Sequence, residues 1–216
     1  MIMRLLRNGL CSTSVALLFA AGGLFTTTPS PVGAQTAKPA AAAAGSQLPK
    51  AKQTTLGLYV TAAQAYEMWK ASPEKVKVID VRTPEEFAFV GHPEMAWNIP
   101  VAFVSYQRKD GKLEYGPRMN TEFVAQVREI ARSTDVLLLT CRSGGRSAMA
   151  VNQLAAAGFK NAYNIVDGVE GDLVQDPESV FNGKRMKNGW KNSAPWVYSL
   201  DPEKVILEEG ASKQTR

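Results

Sequence analysis

The chain has 216 residues, 45% of them hydrophobic, and a formal net charge of +5. That length and content support a globular core, as one domain with extensions or as two small domains. The charge is too mild and too scattered to argue for a nucleic-acid partner, and a solvated basic surface accounts for it.

Arg4 and Arg7 form a positive start, and Ser14 to Phe25 is an apolar stretch too short to span a membrane. Small residues at Val32-Gly33-Ala34 precede Gln35, so residues 1–34 read as a signal peptide and the protein as periplasmic or secreted. No stable membrane span is expected after processing. Gly22 and Gly23 argue against an uncleaved anchor, and Cys11 precedes the apolar stretch, where a lipoprotein cysteine would follow it. Removing residues 1–34, which carry Arg4, Arg7 and no carboxylate, lowers the charge from +5 to +3. Residues 35–54 form an Ala/Pro/Lys-rich linker without core-forming side chains.

Leu56 to Val60 reads as a short strand. Thr61 caps a helix through Ala71, with Ala65, Met68 and Trp69 on one face. Val76 to Val81 is a buried strand, and Thr83 to Glu86 is a capping box with Pro84 in the first helical position. Ala96 to Ile99 is another strand. Phe103 to Tyr115, with Asp110-Gly111 inside, is either a small hairpin or a polar loop. Thr121 caps a helix to Arg132 with Phe123, Val127 and Ile130 at core spacing.

Val136 to Leu139 is a run of four apolar residues, as in a strand buried on both faces, and it ends at Thr140-Cys141. Gly144 and Gly145 permit a tight turn, and Ala148 to Ala157 forms a helix stopped by Gly158. Such a strand–loop–helix aims backbone N–H groups and a helix N-terminus at the loop centre, which favours an anion there and a thiolate on Cys141. Asn161 to Val166 gives the last strand. Asp176-Pro177-Glu178 and Asp201-Pro202-Glu203 both read as helix starts. Trp190 and Trp196 either cover an edge of the core or line a site entrance.

Strands alternating with helices imply an α/β fold with a mostly parallel sheet covered on both faces, and sites at the carboxyl ends of its strands. Asp80-Val81-Arg82 and Cys141 both fall at such ends. Once residues 1–34 are removed, Cys141 is the one cysteine left, and an unpaired thiol in an oxidising compartment points to reactivity.

The run Cys141-Arg142-Ser143-Gly144-Gly145-Arg146-Ser147 resembles the active-site loop of the rhodanese family of sulfurtransferases. A second signature fits the same family: Val78-Ile79-Asp80-Val81-Arg82-Thr83-Pro84-Glu85-Glu86-Phe87, then Gly91-His92-Pro93 and Asn98-Ile99-Pro100. The family pattern has one more apolar residue between His92 and Pro93. The resemblance covers roughly Leu58 to Val169. It implies a rhodanese-like domain over residues 55–171, followed by a C-terminal extension over 172–216 that packs on it and frays at its end.

The resemblance further implies transfer of a sulfane sulfur from thiosulfate, or a similar small anionic donor, to cyanide or a thiol through a Cys141 persulfide. Arg142, Ser143, Gly144, Gly145, Arg146, Ser147 and Arg82 would bind the donor, and Asp80 would support the loop, with no metal or cofactor. Arg142 and Arg146 are either donor-binding cations or surface charges, and Asp80–Arg82 is either a brace or an ordinary strand-end ion pair. Loops with Arg after the cysteine resemble those of thiosulfate-preferring relatives; mercaptopyruvate-preferring ones carry Gly there. His92, the single histidine, matches a structural turn of the family, which disfavours a Cys–His pair. A cysteine phosphatase or arsenate reductase would place five residues between Cys and Arg, where Cys141 and Arg146 have four between them. A persulfide carrier acting with a protein acceptor keeps the same cysteine and stays open. A thioredoxin-like C-x-x-C is absent.

Overall fold

The computed structural model describes residues 48–207. The signal-peptide reading and most of the linker lie outside them. Nine strands and five helices follow in order: β1 (Tyr59–Val60), α1 (Ala62–Ala71), β2 (Val76–Asp80), α2 (Pro84–Val90), β3 (Trp97–Asn98), β4 (Ala102–Lys109), β5 (Lys112–Met119), α3 (Phe123–Ile130), β6 (Val136–Thr140), α4 (Gly145–Ala156), β7 (Ala162–Ile165), β8 (Asp172–Leu173), β9 (Arg185–Lys187) and α5 (Trp190–Ser193).

Five strands form one parallel sheet in the order β1-β7-β6-β2-β3. The apolar run of β6 is explained by its central place, because successive side chains face opposite layers. Leu137 and Leu139 join Phe123, Val127, Val151 and Leu154 on the α3/α4 side. Leu138 joins Val78, Ala65, Phe87 and Trp190 on the other. All three leucines are fully buried. The expected α/β architecture, parallel with helices on both faces, is thus the one observed.

Local chemistry sets the helix starts. Thr61 and Thr83 each close a capping box, with Gln64 and Glu86 as reciprocal partners. α3 differs from expectation: Thr121 does not cap it. Asn120 does that work one residue earlier, its Oδ1 accepting from Glu122 N–H at 3.0 Å while its own carbonyl accepts from Phe123. α4 begins at Gly145 rather than Ala148, so Arg146 and Ser147 ride on its first turn. It ends as expected at Gly158, with φ +96° and Phe159 N–H returning to Leu154 O at 3.0 Å. Asp201 caps a 3-10 turn at Pro202–Lys204. Asp176 makes the same bond, to Glu178 N–H, on a turn that never becomes a helix.

The open choice at residues 103–115 resolves to a hairpin longer than that stretch. β4 and β5 pair antiparallel from Ala102–Met119 to Lys109–Lys112 around Asp110-Gly111, both with positive φ, as a two-residue hairpin turn requires. Beyond the domain, Trp190 is fully buried and meets Tyr66 edge-on at 6.0 Å. Asp167 ties this segment down by accepting from Gly189 N–H and Ala62 N–H, both at 2.8 Å. Burial pushes its carboxyl above the ordinary range although those two donors oppose the shift. Trp196 packs on Gly91 and lies 5.8 Å from the Arg82 guanidinium.

Trp190 therefore belongs to the core, and Trp190→Ala should cost about 3–5 kcal/mol of unfolding free energy in a urea titration. A loss below about 1 kcal/mol, the size of an ordinary surface change, would show that the segment is only draped over the domain.

Candidate active site

Cys141 follows the last residue of β6 and is almost completely buried. Its Sγ accepts from the Gly144 N–H at 3.2 Å and lies 3.4 Å from Ser147 Oγ. The loop is held by its carbonyls. Cys141 O accepts from Val169 N–H at 2.8 Å and Arg142 O from Glu170 N–H at 3.1 Å, in the turn after β7. With these oxygens turned outward, the amides of Ser143, Gly145, Arg146 and Ser147 make no hydrogen bond to a described residue. Such amides at a helix start suit an anion.

This close approach depends on two glycines. Gly144 has φ +94°, and a Cβ there would meet Val166 O at 2.4 Å. Gly168 has φ +63°, and its Cβ would meet Cys141 O and Ser143 N at 2.5 and 2.6 Å. The sequence reading included Gly144; it missed Gly168. Ser147 is fixed by Asn164 of β7, whose Oδ1 accepts from Ser147 Oγ at 2.6 Å, and this residue was missed too. Nor is the linker's end a free tether. Lys50–Lys52 forms a 3-10 turn, the Lys52 ammonium donates to Val166 O at 2.8 Å, and Lys52 O accepts from Asn164 Nδ2 at 2.9 Å.

The arginines occupy three different settings. Arg142 is exposed, with no side-chain partner among the described residues. Arg146 forks onto Glu86 of α2, at 2.5 and 2.6 Å. Burial works against both charges, but the mutual hydrogen bonds and attraction outweigh it. Glu86 is held below the usual carboxylate range and Arg146 above its ordinary value. Arg82, expected at the substrate, is instead enclosed. Its Nη2 donates to Asp80 at 2.6 Å and to Gly91 O at 2.7 Å, its Nε reaches both Asp80 oxygens, and neither side chain is exposed. Burial again opposes the charge, and Asp80 overrides it to raise the guanidinium. Through Arg82, which donates to Glu86 O at 3.4 Å and to Gly91 O at 2.7 Å, the pair holds both ends of α2, and Glu86 in turn pairs with Arg146 of the loop helix. His92 stacks on Phe87 at 3.6 Å and its nitrogens face Pro93 O and Ser199 O, while its backbone pairs with Val197. It has no place at the thiol.

A parallel sheet that ends its central strand in a cysteine, followed by an amide-lined loop and a helix, defines a rhodanese-type domain. The rhodanese-like domain family matches residues 61–172, and the chain belongs to that family. Sulfur transfer is the chemistry that membership supports, with sulfur donors and acceptors as its general partners. The chain is similar to the uncharacterized protein RC0915 of Rickettsia conorii, 32% identical over 64% of this chain and 96% of that one. Thiosulfate sulfurtransferase 16 of Arabidopsis thaliana is 37% identical over 43% of this chain and 69% of its own length. The crystal structure of Rv0390 from M. tuberculosis has a TM-score of 0.50 and 31% identity, covering 65% of this chain and 96% of its own. Among the described residues no helix is long and apolar enough to cross a membrane, and no group of three or more His, Cys, Asp or Glu is placed to hold a metal.

Because Arg146 depresses the Glu86 carboxyl, the stability from this pair is complete above the unfolded value and is lost as pH falls through the folded one. In thermal melts across pH, the stability difference between the parent and Glu86→Gln should therefore be full above about pH 5 and shrink steadily as pH falls below the ordinary glutamate value of about 4.3. A difference that stays constant with pH would mean that the pair contributes no net charge interaction.

Proposed function

We propose that this protein moves a sulfane sulfur from thiosulfate to cyanide or a thiol acceptor through a persulfide on Cys141, and that it does so as an exported, periplasmic or secreted enzyme. The observation that carries the chemistry is the buried Cys141 sulfur, bonded by the Gly144 amide and beside the Ser147 hydroxyl at the start of α4. The Cys141 thiolate attacks the outer sulfur of thiosulfate. A new S–S bond forms, the old one breaks, and sulfite leaves with the electron pair. Cyanide or a thiolate then attacks the terminal persulfide sulfur and returns the Cys141 thiolate. The loop amides that make no hydrogen bond to a described residue suit the negative charge that the outer sulfur carries from donor to persulfide, while the charge leaving the Cys141 sulfur departs with sulfite.

Thiosulfate suits this site on two further grounds. Its outer sulfur is a single-atom tip able to reach a buried thiol, and Arg142 and Arg146 complement its two charges. The carrier reading is the alternative: a donor protein would deliver sulfur to Cys141 and an acceptor protein would take it, without free thiosulfate. Export rests on the reading of residues 1–34 as a signal peptide, and residues 1–47 lie outside the described part.

Whole-protein mass spectrometry after thiosulfate exposure should show one added sulfur, lost on adding cyanide. Cys141→Ser should be folded and lack both the adduct and turnover. An adduct that persists in Cys141→Ser would refute the assignment, and an adduct without turnover would favour the carrier.

The arginines should differ. A charge-assisted hydrogen bond contributes about 1.5–3 kcal/mol, so Arg142→Ala should lower kcat/KM for thiosulfate about ten- to a hundredfold if the bond forms in the transition state. Arg146→Ala should lose more, because it also leaves the Glu86 carboxylate unpaired beside an anionic donor. Adding Glu86→Gln to Arg146→Ala should recover part of that loss. The parent should prefer thiosulfate to mercaptopyruvate, and variants unchanged toward thiosulfate would show that the cations do not select the donor.

A further inference from the structure

Asn164 is fully buried on β7, three bonds of its amide are accounted for, and they leave it one orientation. Its Nδ2 has two protons and two acceptors, Lys52 O at 2.9 Å and Gly144 O at 3.0 Å. Reversing the amide would set its oxygen against both carbonyls. So Oδ1 faces Ser147 Oγ, and since Oδ1 can only accept, the 2.6 Å contact takes the hydroxyl proton.

Ser147 has one proton, and its oxygen also lies 3.4 Å from Cys141 Sγ. While Cys141 is a thiol, no conflict arises: S–H donates to Ser147 Oγ and Ser147 donates to Asn164. An anionic sulfur can only accept. The Gly144 N–H serves it at 3.2 Å, but a bond from Ser147 requires the hydroxyl to turn away from Asn164. The sulfur and the Asn164 oxygen then compete for one proton.

We propose that Asn164 is a positioning residue that orients the Ser147 hydroxyl and so sets how strongly the loop holds an anionic sulfur on Cys141. Asn164 does not touch the reacting atoms. It acts through Ser147, with no bond made or broken beyond the hydroxyl's rotation. In the thiol state its oxygen keeps the Ser147 proton occupied. In the thiolate or persulfide state the proton serves the sulfur, at the expense of a buried amide oxygen left without a donor. The same amide joins Lys52 and Gly144, so the strap before β1 and the loop share one anchor. The inference rests on Cys141 being the sulfur-carrying residue, but its test does not require sulfur transfer.

The test is the pH dependence of iodoacetamide alkylation of the full chain, read on the Cys141 peptide by mass spectrometry so that Cys11 does not contribute. Parent, Asn164→Ala, Ser147→Ala, the double variant and Ser147→Thr are compared, each checked for folding by thermal melt. Asn164→Ala frees the hydroxyl for the sulfur and should move the alkylation midpoint down by about half a pH unit or more. Ser147→Ala should move it up, and Ser147→Thr, which keeps the hydroxyl, should stay near the parent. In the Ser147→Ala background the Asn164 change should have no effect on the midpoint. A midpoint unchanged or raised in Asn164→Ala, or the same shift in both backgrounds, would overturn the proposal and reduce Asn164 to a structural tie. If Asn164→Ala does not fold, Asn164→Ser, which retains a polar group for the buried carbonyls, carries the same comparison. Should thiosulfate give no persulfide while these shifts appear, the thiosulfate reading falls and this one stands.

Discussion

Everything at the thiol depends on where the loop carbonyls point. Two hydrogen bonds from the turn after β7, Val169 N–H to Cys141 O and Glu170 N–H to Arg142 O, turn them outward. A peptide whose oxygen is fixed on one side presents its next N–H on the other. The neutral backbone thus makes an electropositive hollow whose charge does not have to be desolvated from a flexible side chain. The condition for those bonds is contact between two backbones, and Gly168, lacking a Cβ, permits it.

A second layer is ionic, and its two pairs differ in kind. Asp80–Arg82 is enclosed, so its attraction must offset the desolvation of both ions. It manages this with nearly every donor satisfied, by Asp80, Gly91 O and Glu86 O. Such a pair gives geometry rather than surplus stability, and the geometry here is the placement of α2. Glu86–Arg146 is about a third exposed, and it joins α2 to the loop helix. Glu86 has two duties: Oε2 accepts from Thr83 N–H to start α2 and also from Arg146. The helix cap and the loop anchor are one carboxylate.

That double use explains what could and could not be read from the chain. The Thr83–Glu86 box, the four-residue core strand and the Cys141 loop are local patterns with a single physical outcome, and each stands where its sequence places it. Thr121 has the right residue type for a cap, yet Asn120 is better placed because the chain arrives from a hairpin with Asn120 already bonded to Pro100 O. Asp176 makes its capping bond without a helix to follow. Propensity sets the first bond of a turn, and tertiary packing decides whether a second turn is added. The family resemblance implies Arg82 as a donor-binding cation, whereas its strand-end position beside Asp80 equally allows an ordinary ion pair. Its direction was set by Asp80 two residues earlier, on the same side of the pleat. Asn164 and Gly168 carry no local signal, since each matters only for what β7 and the turn after it bring beside β6.

The site therefore combines two sources of anion affinity with different reach. Arg142 is exposed and acts through solvent, where screening weakens it. Arg146 is already paired with the Glu86 carboxylate before any donor arrives. The Gly144 amide and the Ser147 hydroxyl are neutral, short-ranged and buried, and they lie against the sulfur itself. Under the proposed chemistry, such a division suits a thiol that holds negative charge first as a thiolate and then as a persulfide one atom longer. Cations at the rim draw in an anion whatever its shape. The buried dipoles respond to where the charge sits, and the Ser147 hydroxyl, within reach of both Asn164 and the sulfur, is the one among them that the proposal lets turn toward it.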